Sequence, residues 1–296
     1  MAPRTATLVL SGGGAKGAFQ VGAERVLRED SGYRWDRVFG VSVGALNATL
    51  IGQGEQRRLL DVWRSIREKD VHRRFSWFGV GLRIALLKRR GLHDNRPLRT
   101  TLERHAAGRP FEIPVHVGRV SLVTGNYELV RENEPGFLDA VWHSATMPVI
   151  WEPVGEHAWV DGGIRNVTPL GDALKHEPGE IVVIECDTGR LDASDPPGNI
   201  FEAARRSLSE VAINEIMHND VREFVRINEL VKQAEAAGVV LRNPDGTPLR
   251  HCPITIVKPE EQLGDTLDFS SAMIEHRIRA GETAARKAVA TDCASR

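Results

Sequence analysis

Residues 6–30 read ATLVLSGGGAKGAFQVGAERVLRED. Ala6 to Leu10 is an unbroken apolar run halted by Gly12, Gly13 and Gly14, the pattern of a buried strand. From Gly17 to Asp30 the apolar residues Phe19, Val21, Ala23, Val26 and Leu27 recur among polar ones, which predicts a helix. Asp36 to Val41 (DRVFGV) predicts a second short strand. Ala45 to Ile51 predicts a helix that is apolar all round and therefore buried. Strand, glycine turn and helix follow one another twice. That alternation predicts an α/β fold, a three-layer α/β/α sandwich with a largely parallel central sheet.

The rest of the chain extends the same reading. Val115 to Val123 and Tyr127 to Val130 predict strands around the Gly125-Asn126 turn. Phe137 to Thr146 predicts a helix that stops before Pro148, and Ala158 to Val160 a short strand ending at Asp161. Ile181 to Cys186 (IVVIEC) predicts a buried strand. Leu208 to Leu230 predicts one long helix with a single apolar stripe. Ile254 to Val257 predicts a last strand and Ala272 to Ala290 a closing helix. No repeat and no Pro/Gly/Ser linker interrupts residues 1–296, so a single domain is expected.

The 296 residues carry a net charge of -1, with 41% hydrophobic and 27% charged residues, which excludes disordered and collagen-like classes. Near-neutrality and the absence of a recognition motif argue against a nucleic-acid partner. Cys186, Cys252 and Cys293 are too few and too scattered for a disulfide framework, and no CxxC pair suggests zinc. No stretch approaches the ~18 consecutive apolar residues of a membrane span. A soluble, cytoplasmic protein without metal or cofactor is the expectation, and no oligomeric state follows from the sequence.

Three short motifs carry chemistry. Gly12-Gly-Gly-Ala-Lys-Gly17 lies between the first strand and the first helix and fits GxGxxG. Glycine lets backbone N–H groups approach an anion, whether a pyrophosphate, a phosphate or the oxyanion of acyl transfer. The P-loop pattern fails because Lys16 precedes Gly17 rather than following it. Gly40-Val-Ser42-Val-Gly44 is a GxSxG placed where a strand gives way to a helix, the context that thrusts a serine hydroxyl out of the backbone. The helix N-terminus behind it favours developing negative charge. Asp161-Gly162-Gly163 closes a short strand. An activated serine needs a base, and a Ser–His–Asp esterase would place its histidine late, at His251 or His276. Neither sits at a glycine-flanked strand end, whereas Asp161 does. A dinucleotide site would expect an acidic residue at the end of the second strand. There the chain has Ser42 instead.

Together, in this order, these motifs resemble the patatin-like phospholipase family, in its compact bacterial form. The resemblance runs through LVLSGGGAKGAFQVGAERVL (8–27), GVSVGALNA (40–48), ATMPVIWEPV (145–154) and WVDGGIRNVTPL (159–170), and more weakly through LDFSSAMIEHRIRAGETAARKA (267–288). It implies a patatin-like fold and a lipid or ester substrate. It also implies a catalytic dyad, with Ser42 as nucleophile and Asp161 as base. The loop at Gly12, Gly13 and Gly14 matches the oxyanion hole, with N–H donors at Gly13 and Gly14. Lys16 matches a position the family keeps basic, holding the loop or a phosphate. Gly17, Gly40, Gly44, Gly162 and Gly163 are expected to support these turns. After Asp161-Gly-Gly, Asn166 and Pro169 stand one residue further apart than in the family's commonest Asn-x-Pro form.

Residues 55–109 hold 15 Lys/Arg against 6 Asp/Glu, so the rest of the chain is acidic. Within them a basic, partly apolar segment around 70–92 reads as a cap. Its composition suits peripheral contact with an anionic membrane, led by Trp77 and Phe78.

Overall fold

The computed structural model describes residues 4–76, 91–190 and 196–295. Trp77 and Phe78, expected to meet a membrane, lie outside the described residues, as does most of the cap-like segment.

The opening stretch forms β1 (Arg4–Leu10), a 3₁₀ turn (Gly14–Gly17) and α1 (Ala18–Glu29). The second round forms β2 (Tyr33–Val41) and α2 (Val43–Gly52). β2 begins earlier than its apolar core suggests, because Tyr33 and Trp35 are buried and alternate with exposed residues. Two helices in the basic region, α3 (Gln56–Ser65) and α5 (Arg96–Ala106), flank the short α4 (Glu68–Val71). Next come β3 (Val115–Ser121), β4 (Tyr127–Arg131), α6 (Phe137–Ser144), β5 (Trp159–Asp161), α7 (Leu170–Leu174) and β6 (Ile181–Ile184). α8 (Ile200–Arg206) runs through a π-helical turn (Ser207–Ala212) into α9 (Ile213–Ala236). β7 (Ile254–Val257) and α10 (Ser271–Ser295) close the chain.

The sheet order is β4-β3-β2-β1-β6-β7. β1, β2, β3, β6 and β7 are parallel; β4 and β5 both pair with β3 antiparallel. Strand residues alternate between two cores. Leu8, Leu10, Val38, Val182 and Ile184 pack on the face covered by α1, α2 and α10. Val9, Phe39, Ile181 and Val183 pack on the opposite face with Leu170 of α7 and Phe224 of α9. Two buried faces explain why β1 and β6 read as unbroken apolar runs. The result is the expected three-layer α/β/α arrangement around a mostly parallel sheet.

The long helix expected over Leu208 to Leu230 is present, passing through the π-helical turn into α9, but its buried stripe differs from the expected one: Met217, Phe224 and Val231 are buried, while Val211, Val225 and Leu230 stand exposed.

The register places the two motifs at one spot. β3 pairs with β2 only as far as Val41↔Gly118. There β2 turns away into α2, and β5 enters in antiparallel sense along the next three residues of β3, with Asp161 opposite Arg119. The last residue of β5 therefore stands beside the end of β2.

Candidate active site

Ser42 occupies the turn between β2 and α2 with φ 57° and ψ -126°, a strained conformation for a residue with a side chain. Such strain costs about 1–3 kcal/mol and is sustained only by surrounding structure. Here the glycines make room. A Cβ on Gly40 would fall 2.3 Å from the Gly44 carbonyl oxygen, and one on Gly44 would fall 2.3 Å from that of Leu10. The Ser42 N–H donates to Ser144 Oγ at 2.9 Å. Two residues later the Thr146 carbonyl accepts the Asp161 N–H at 2.9 Å. The end of α6 thus brackets both residues. Ser144 and Thr146 were not singled out from sequence, since nothing local marks a serine that accepts a bond from 102 positions away.

Asp161 is 1% exposed. Its Oδ1 accepts the Gly163 N–H at 2.8 Å. Burial pushes its carboxyl up to about 7, against smaller opposing pulls from the Ser42 hydroxyl and the Gly163 N–H. The Ser42 hydroxyl is thus near enough to act on the carboxyl. Even so, Oδ2 closes no hydrogen bond of normal geometry with any described residue. A buried acceptor left without a partner is costly. Gly162 packs on β3, where a Cβ would fall 2.4 Å from the Gly118 carbonyl oxygen.

The glycine loop passes over Ser42. A Cβ on Gly12 would lie 3.3 Å from Ser42 Cβ. The Gly12 N–H is already given to the Val167 carbonyl at 3.2 Å. With its N–H spent in this way, Gly12 shapes the turn, and the N–H groups left to face the cavity are those of Gly13 and Gly14. The Gly13 and Gly14 N–H groups have no partner among the described residues. Gly14, at φ 57°, turns beneath the Thr266 carbonyl, which accepts the Ala15 N–H at 2.7 Å. Lys16, 8% exposed, is ion-paired to Asp187 at 2.5 Å. It anchors the loop and is not free for a phosphate. Gly17 lies against Val43, and its carbonyl accepts from Asn47 Nδ2 at 3.0 Å. Asn166, the residue at the altered spacing, donates to Asp172 at 3.1 Å.

Gly13, Gly14, Ser42 and Asp161 all line one cavity of about 140 Å³. Beyond them its walls are almost wholly apolar: Val43, Leu46 and Leu50 of α2; Leu59, Val62 and Trp63 of α3; Leu98 and Leu102 of α5. Among the described residues, His105 is the only histidine lining it, and it sits on α5 at the end where Gln53, just past α2, bonds the Ala106 carbonyl. His251 and His276 do not line the cavity. The His251 N–H bonds Glu235 at 2.9 Å, and His276 is exposed on α10. Among the described residues no helix is long and apolar enough to cross a membrane.

A serine at a strained strand-to-helix turn, a buried carboxyl and two open N–H groups can support acyl transfer to the serine. Comparison places the chain more narrowly. Residues 8–174 match the profile of the patatin-like phospholipases, and the chain belongs to that family of lipid-ester-hydrolysing enzymes. It is 27% identical over 211 residues to the neuropathy target esterase sws of Drosophila melanogaster, a match covering 64% of this chain and 13% of that protein. VipD from Legionella pneumophila shares 14% identity over 98% of this chain and 67% of its own, with a TM-score of 0.49. The type III effector protein ExoU shares 15% identity over 74% of this chain and 53% of its own, with a TM-score of 0.30.

Proposed function

We propose that the chain hydrolyses fatty-acyl esters through a Ser42–Asp161 dyad. The observation that carries this reading is the open Oδ2 of buried Asp161 beside Ser42, at the polar end of an apolar cavity. Ionised Asp161 takes the Ser42 proton, and Oγ attacks the ester carbonyl carbon. The Gly13 and Gly14 N–H groups face the oxygen on which charge develops; one such donor is worth about 3 kcal/mol. As the tetrahedral adduct collapses, the C–O bond to the alcohol breaks and Asp161 returns its proton to the departing oxygen. Water then attacks the acyl-serine, giving its proton to Asp161, and the fatty acid leaves as Ser42 regains its own. The α2, α3 and α5 side chains hold the acyl chain by burying it.

The late histidines that a Ser–His–Asp esterase was expected to use, His251 and His276, do not line the cavity, which favours Asp161 as the base. Labelling with a fluorophosphonate, followed by peptide mapping, tests the dyad. Wild type should carry the label on Ser42. Ser42→Ala should carry none, and Asp161→Asn should label and turn over on the order of 10³-fold more slowly. Label on another residue, or an undiminished Asp161→Asn, would overturn the reading.

A further inference from the structure

The glycine loop is held from outside on both flanks, and both holds trace to α9. On one flank, Val167 accepts the Gly12 N–H through its carbonyl. The N–H groups of Val167 and its neighbour Thr168 are directed at Asp220 of α9, with Thr168 N at 3.4 Å from Oδ2. On the other flank, Lys16 is paired with Asp187 Oδ2. Asp187 Oδ1 in turn accepts from Asn214 Nδ2 of α9 at 3.2 Å and from the Gly189 N–H at 3.3 Å. Asn214 and Asp220 lie six residues apart, under two helical turns, and Ile213 before them lines the cavity. One helix thus holds, through Val167–Thr168 and through Asp187, the partners of both ends of a five-residue loop whose central N–H groups have no partner among the described residues.

We infer that α9 clamps the oxyanion loop, with Asp220 and Asn214 as positioning residues. The inference rests on the acyl-transfer reading above. Oxyanion donors work by being fixed before charge develops. A loop freed at Gly12 could rotate its peptide planes and lose the donors without losing substrate. Loosening the clamp should therefore slow the chemical step and leave binding nearly untouched. In contrast, a residue that merely supported the fold would alter stability and all kinetic constants together.

The test compares Asp220→Leu, Asp220→Asn and Asn214→Ala in the full chain, reading kcat and KM on a soluble fatty-acyl ester and the fluorophosphonate labelling rate at Ser42. Asp220→Leu removes the acceptor and should lower kcat and labelling about 10–100-fold, with KM within twofold. Asp220→Asn keeps an acceptor oxygen in place and should recover most of that loss. Asn214→Ala should show the same kcat-only pattern, several-fold in size. It also stands in if Asp220→Leu does not fold. Folded variants that label at the wild-type rate would overturn the clamp while leaving the dyad intact, as would losses appearing in KM alone or equal losses in Leu and Asn. Absence of label on wild-type Ser42 would instead overturn the acyl-transfer reading, and the clamp with it.

Discussion

At the scale of single residues, the role proposed for Asp161 sets two demands against each other. A base must be ionised to work, yet burial holds this carboxyl neutral up to about pH 7. The rate on an ester should therefore climb close to tenfold per pH unit below 7 and level off above it; a flat profile from pH 5 to 9 would remove Asp161 from the role. Stability runs the other way. Well below pH 4, the carboxyl is largely neutral whether the chain is folded or not. Between about 4 and 7 the unfolded chain gives up its proton and the folded chain keeps it, so stability is lost across that window and stays lower above it. Asp161→Asn should thus melt higher than wild type at pH 8, by roughly 2–4 kcal/mol, and the gap should close towards pH 4. Ser42 and Asp161 were legible in the sequence because each stands beside glycines at a strand end. Their second partners were not. Ser144 and Thr146 contribute a hydroxyl and a backbone carbonyl that almost any sequence could supply, and only the fold decides which ones meet.

Among the elements, α2, α3 and α5 wall the cavity in which the proposed acyl chain would lie. Val43 to Leu50 of α2 spans about 10 Å of the cavity wall. An extended hydrocarbon advances about 1.3 Å per carbon, given a C–C bond of about 1.5 Å, so roughly eight methylenes lie alongside. Leu102→Trp should fill the end remote from Ser42. Activity on long-chain esters should fall at least tenfold while short-chain esters are turned over as before; equal losses on both would place the acyl chain elsewhere. The helical periodicity of these walls was present in the sequence. Leu59, Val62, Trp63 and Ile66 follow the i, i+3, i+4, i+7 spacing, as do Leu98, Thr101, Leu102 and His105. The arginines interspersed among them give the region its net positive charge, while the apolar faces of α3 and α5 line the cavity. Basic composition describes the outward side of an amphipathic helix and says little about the inward one.

On the scale of the whole molecule, the site depends on the last part of the chain. Arg277 of α10 has no exposed surface and donates to the carbonyls of Leu263, Asp265 and Asp268 at 2.8, 2.7 and 2.6 Å. These bonds fix the loop that carries Thr266 onto the glycine turn and Leu267 and Phe269 into the cavity. Arg277→Met would leave three carbonyls without their donor. It should cost about 3 kcal/mol or more in urea unfolding and slow labelling of Ser42 as the loop drifts. Unchanged stability would mean that water replaces the guanidinium. The sheet has the same reach, because β1 lies between β2 and β6 and needs both neighbours. Excising residues 8–174 would keep serine, aspartate and glycines. It would also leave β1 with a bare edge, Lys16 without Asp187, Gly12's support without Asp220 and Ala15 without the Thr266 carbonyl. The proposed site is consequently not a portable cassette. Anyone grafting it into another protein, or trimming it for expression, must carry the sequence through α10 to keep its supports in place.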